Sequence, residues 1–165
     1  MRQIEINPQE VMMLTEQMLQ DGWIKGAEKG HGVIDDGGTR HPDLSGVCVV
    51  GALRQSLSDV LRPQITLMLQ ELPEYRALQY ATRHIFLNQM ITGATHSLLQ
   101  IFRSRIETVL GSGIEGWNDT SSRKKQEVIE AMKASLEIIT TECLEVWNTE
   151  RPALQADAVS ILKGA

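Results

Sequence analysis

The chain has 165 residues, 42% of them hydrophobic and 22% charged, and its 21 acidic against 16 basic side chains give a formal charge of −5. That length suits one domain, the apolar content excludes a disordered chain, and the acidic balance argues against non-specific binding to nucleic acid or acidic membranes. No apolar run approaches the ~20 residues of a membrane helix, and the start, MRQIEINPQE, carries no signal-peptide core. Its two cysteines, Cys48 and Cys143, support neither a disulfide framework nor a four-cysteine zinc site. These features predict a single cytoplasmic helical domain over residues 1–165.

Asn7-Pro8 opens the first helix, because Asn caps and Pro fits the first helical position. Val11, Leu14, Thr15, Met18 and Leu19 then keep helical spacing, and Gly22 ends the helix, giving a span of 8–21. From Gly26 to Gly46 the chain changes character, holding six of its 13 glycines beside Asp35, Asp36, Pro42 and Asp43. Such density predicts a long Gly-rich loop between the first two helices, with Val33-Ile34 permitting a short strand and Asp36-Gly37 a turn.

A second helix is expected from Ser45 to about Leu61, broken by Pro63 and followed by a short successor through Ile65, Met68 and Leu69. Pro73 begins another helix, with Leu78, Ala81, Thr82 and Ile85 facing inward. After Thr92-Gly93 the pattern resumes from Thr95 to Leu110, and Gly111-Ser112-Gly113 stops it. A tight link ends in Trp117-Asn118-Asp119, where Asp119, Thr120 and Ser121 are good caps for a helix carrying Val128, Met132, Leu136, Ile139, Cys143 and Trp147. Pro152 opens a C-terminal helical appendage over 150–165, with Leu154, Ala158, Ile161 and Leu162. The expected class is all-α, a compact bundle of five to seven helices. Met12, Met13, Met68 and Met90 add apolar surface beyond one stripe per helix, which predicts a homo-oligomer.

Cys48 is one candidate for chemistry. In the first turn of the second helix the dipole would lower its thiol pKa, His41 could serve as base, and Asn118 or Asp119 could orient the imidazole. The competing reading is packing: Cys48, Gly51, Ala52 and Gln55 form a small stripe that admits another backbone or an indole ring. His31, Asp35, Asp36, His41 and Asp43 are of metal-ligating types, but no ligand spacing links them, so no metal is expected. His84 and His96 fit ordinary hydrogen bonds. Arg123-Lys124-Lys125 falls at a helix start, where free amides and a guanidinium would form an anion pocket. No Gly-rich phosphate motif of the standard kinds appears, and no cofactor is expected.

Three segments carry a resemblance: Gly22-Trp23-Ile24-Lys25-Gly26-Ala27, Cys48-Val49-Val50-Gly51-Ala52-Leu53, and Trp117-Asn118-Asp119 followed by Arg123 and Glu127-Val128. In that order they resemble a family of small bacterial and phage proteins grouped only as a domain of unknown function. The matching segments span about residues 8–60 and 111–140, leaving 62–110 and the tail after about residue 145 without a counterpart. The resemblance implies a bacterial or phage setting and no established activity.

The residues point first to a non-enzymatic binding protein, in a phage or mobile-element accessory or anti-defence role. It would capture a small anionic, nucleotide-like ligand or a host protein. The ligand is expected against Trp23, the loop residues His31 and His41, and the corner of Trp117, Asn118, Asp119 and Arg123. The same residues also fit a plain structural knot, with an indole on a glycine–alanine ridge. The alternative function is a cysteine-dependent hydrolase or transferase using Cys48 with His41.

Overall fold

The computed structural model describes residues 4–139 and 156–164. Helix α1 (Pro8–Gly22) starts as its sequence requires, with the Asn7 side chain accepting from the Gln9 amide at 3.0 Å and Pro8 in the first turn. Strands β1 (Lys29–Ile34) and β2 (Arg40–Val47) follow, then α2 (Val49–Gln70), the short α3 (Pro73–Arg76), and α4 (Tyr80–Leu110). Helices α5 (Ile114–Asp119) and α6 (Lys125–Ile138) complete the main body. Residues 156–164 form a further helix, α7, that buries Ala158 and Leu162. The expected appendage from residue 150 is therefore described only from 156. Cys143, Trp147, Pro152 and Leu154 lie outside the described residues.

The all-α expectation is corrected by a two-stranded antiparallel sheet standing where the long loop was expected. Its register pairs Lys29 with Val47, His31 with Ser45 and Val33 with His41, with a bulge at Gly32, whose φ is 103°. The Asp35 side chain accepts from the amides of Gly37 (3.0 Å) and Thr39 (2.9 Å) and so builds the turn. The glycines that suggested a loop include one that serves close packing. A Cβ on Gly46 would lie 2.2 Å from the carbonyl oxygen of Gly22, so the hairpin can press on the end of α1 only with glycine there. Glycine density alone does not separate a flexible loop from a backbone–backbone contact.

Two expected helix breaks are absent. Pro63 lies inside α2; it removes one intrahelical bond, but buried Leu61, Ile65, Met68 and Leu69 hold both flanks on the core. Helix α4 runs unbroken for 31 residues through Gly93. Its inward stripe is Leu87, Ile91, Ala94, Leu98, Phe102 and Ile106. Ala81, Thr82 and Ile85, expected inside, are exposed, and the buried stripe of α4 begins only at Leu87.

Packing contacts join α1 to α2, α2 to α4, α4 to α6 and α6 to α1, a closed ring of four helices, with the hairpin against α1 and the start of α2. Val11, Leu19, Leu53, Leu57, Phe102 and Val128 meet in its interior with no exposed surface. Met12, Met68 and Met90 belong to this core and only Met13 of the four is exposed, so the apolar surplus behind the expected homo-oligomer is mostly interior. Among the described residues no helix is long and apolar enough to cross a membrane.

Candidate functional site

The three motif segments do converge. Trp23 follows α1 directly and is fully buried, its Nε1 donating to Asn118 Oδ1 at 2.8 Å. The same oxygen accepts from the Val49 amide in the first turn of α2 at 3.2 Å. Asn118 Nδ2 donates to the Ile24 carbonyl at 3.0 Å and to Asp119 Oδ1 at 2.9 Å. One side chain that is 1% exposed thus ties together the segment after α1, the start of α2 and the end of α5, with its hydrogen-bonding capacity filled. Asp119 Oδ1 also accepts from the Gly26 amide, and Lys25 Nζ donates to the Thr120 carbonyl at 2.8 Å.

The small stripe on α2 meets a backbone. A Cβ on Gly51 would lie 2.1 Å from the Glu28 carbonyl oxygen, and that same oxygen accepts from the Cys48 amide at 3.1 Å. Cys48 is the N-cap of α2, its Sγ accepting from the Gly51 amide at 3.5 Å. Burial pushes its thiol pKa up, against the smaller lowering from the Gly51 and Val50 amides. This reverses the activation expected from the helix dipole, since desolvation of the thiolate outweighs the cap bonds.

His41 does not reach Cys48. It stands near the first residue of β2 and Cys48 just past the last, so seven strand rises separate them, about 23 Å. His41 Nε2 instead lies 2.8 Å from Asp35 Oδ2 at the hairpin tip. That bond, followed by the Thr39 and Gly37 amides, lowers the Asp35 carboxyl pKa. The charged form is therefore favoured in the fold, and its contribution to the turn is complete above the ordinary carboxylate range and lost as the pH falls through the lowered value. His31 is exposed on β1 beside Ser45, whose Oγ is 3.4 Å from its Nδ1.

The expected anion pocket at Arg123 is filled by the protein itself. Asn118 and Asp119 end α5 and do not cap α6, which begins at Lys125. The Arg123 guanidinium lies 3.9 Å over the Trp117 ring, donates from Nε to the Trp117 carbonyl, and faces Glu127 at 3.8 Å. Glu127 in turn accepts from the Lys124 amide at 2.9 Å, so the start of α6 already holds a carboxylate. A cavity of about 210 Å³ does open beside this corner, but its charged lining is Glu28, Glu115 and Asp119. Three carboxylates repel an anion.

A larger groove of about 400 Å³ runs between α2 and α4, lined among others by Lys29, Arg54, Arg62, Asn88, Ile91 and Thr95. Among the described residues no carboxylate lines it. Glu28, outside the lining, grips Arg54 through two bonds of 3.0 Å. Lys29 Nζ donates to Gln55 Oε1, and Arg62 donates to Asn88 Oδ1 at 3.1 Å. No motif in the sequence marks these residues as a site. The legible signal was the spacing of Arg54, Ser58 and Arg62, which puts them on one face of a helix. Lys125 was also missed as a structural cation. Only 11% exposed, its ammonium donates to the Gln20 carbonyl and lies 3.3 Å from Asp36 of the hairpin turn. Among the described residues no cluster of histidine, cysteine or carboxylate side chains could hold a metal ion.

No curated protein and no solved structure matches this chain. A family model matches residues 5–137, a range that takes in the 62–110 stretch as well as the three motif segments. The chain therefore belongs to the DUF6197 family, a family of unknown function.

Proposed function

We propose that this protein acts by binding and not by catalysis, and that it captures a small anionic ligand in the groove between α2 and α4. The observation that supports this reading is the groove itself: Lys29, Arg54 and Arg62 line about 400 Å³ with no carboxylate among the described residues, in a chain whose net charge is −5. That volume lies in the range of roughly 300–1,000 Å³ typical of small-molecule sites. The cysteine-dependent alternative lacks support, because Cys48 is a buried helix cap with a raised pKa and His41 is bound to Asp35 at the far end of the strand.

Thermal unfolding of the full chain with a panel of small phosphates and carboxylates tests the reading. A ligand at a hundred times its dissociation constant adds about 2.7 kcal/mol, which for a chain of this size raises the melting temperature by about 5–10 °C. The Cys48→Ser variant, which keeps a capping oxygen, should respond to the same ligand as the parent does, and no member of the panel should be chemically changed. Turnover of any ligand that the Cys48→Ser variant abolishes would establish the thiol chemistry instead. A chain that no small anion stabilises would also contradict the binding role.

A further inference from the structure

From the groove's lining we infer that its ligand is a sugar phosphate or a similar phosphorylated polyol, a proposal that rests on the binding role just argued. Its anionic end would sit on Lys29 and Arg62. Among the described residues neither cation has a carboxylate at ion-pair distance, whereas Arg54 is neutralised by Glu28. Two unneutralised cations match a phosphate monoester, which carries up to two negative charges near neutral pH, better than a monocarboxylate. Asp59, outside the lining, is held on the Gln55 amide at 2.8 Å.

The rest of the lining selects the organic part. Gln55, Ser58, Asn88, Thr92 and Thr95 supply amides and hydroxyls, and among the described residues Ile91 is the only aliphatic side chain and no aromatic ring lines the groove. A nucleobase would find no stacking platform there, whereas hydroxyl groups, which donate and accept, would find partners.

Thr95 is the independent observation. It is 3% exposed, it lines the groove, and its Oγ1 has no hydrogen-bond partner. Elsewhere in the helices Thr15, Ser56, Thr66, Thr92, Thr108 and Ser135 each donate to the carbonyl four residues back. Thr95 leaves the corresponding Ile91 carbonyl alone. A buried hydroxyl left unmade is costly and is uncommon unless a partner completes it. A ligand hydroxyl in the groove is such a partner.

Calorimetric titration of the full chain with ribose 5-phosphate, inorganic phosphate, ribose and adenosine 5′-monophosphate tests this. Ribose 5-phosphate should bind most tightly of the four. Arg62→Ala should weaken it by about tenfold to a hundredfold, the worth of one charge-assisted hydrogen bond. Thr95→Val should weaken ribose 5-phosphate by about fivefold to tenfold, leave inorganic phosphate unchanged, and raise the melting temperature of the free chain, since it removes a hydroxyl with no partner. Thr95→Ser should restore the parent affinity. A Thr95→Val variant with parent affinity and an unraised melting temperature would mean that the hydroxyl merely bonds the Ile91 carbonyl, and would overturn the inference. Tighter binding of adenosine 5′-monophosphate, or of citrate in a control titration, would overturn it too while leaving the binding role intact. If none of these anions binds, both readings fall.

Discussion

Asn118→Leu is expected to cost about 3–5 kcal/mol, a large part of the stability of a domain this size. The substitution keeps the branched shape and the number of side-chain heavy atoms and deletes the amide. Trp23 Nε1 and the Val49 amide lose their acceptor, and the Ile24 carbonyl loses its donor, all in an interior without water access. Each orphaned group costs about 1–3 kcal/mol, and the three share one site, so the effects do not simply add. Denaturant unfolding monitored by tryptophan fluorescence measures the loss. A change below about 1 kcal/mol would show that the corner is not the tie between α1, α2 and α5.

Gly51→Ala should cost about 3 kcal/mol, although it adds a single methyl group to a helix that favours alanine. The new Cβ would stand 2.1 Å from the Glu28 carbonyl oxygen, which is backbone and cannot rotate away. Either α2 retreats, or the 26–28 segment lifts and gives up the Cys48 amide bond. Gly93→Ala is the matched control: it meets nothing within 4 Å in the middle of α4, so it should raise stability by about 0.5–1 kcal/mol. Opposite signs in thermal melts of the two variants are the expected result; a neutral Gly51→Ala would refute the close approach of the 26–28 segment to α2.

The helices were legible where local signals and burial agree. Asn7-Pro8 opens α1 and Gly111, with φ 71°, closes α4, because capping chemistry is written in one or two residues. The hairpin was not legible as a sheet. Gly22 reads as a helix end, Gly46 as a loop former and Gly51 as part of a small stripe, and only a tertiary contact reveals that each makes room for another backbone. Pro63 and Gly93 read as breaks, yet burial on both sides overrides the local penalty.

The site followed the same division. Trp23, Cys48, Asn118 and Asp119 were correctly drawn together by their motifs. Their roles as ligand contacts depended on exposure, which spacing does not report, and the structure leaves Trp23 and Asn118 buried with their polar atoms bonded to each other. Arg123 reads as an anion anchor from its place at a helix start with free amides, but its guanidinium stacks on Trp117. Lys29, Arg54, Arg62 and Thr95 are spread over a strand and two helices. No local motif joins them, since the groove exists only once α2 and α4 pack.

Amide NMR during titration with ribose 5-phosphate reads the structural corner and the binding groove at once. The predicted result is chemical-shift change at the backbone amides of Lys29, Arg62 and Thr95, with the Trp23 indole N–H unmoved and slow to exchange because Asn118 holds it in the interior. Movement of the Trp23 and Trp117 indoles and the Gly26 amide, with the α2–α4 groove silent, would contradict it and return the site to the corner.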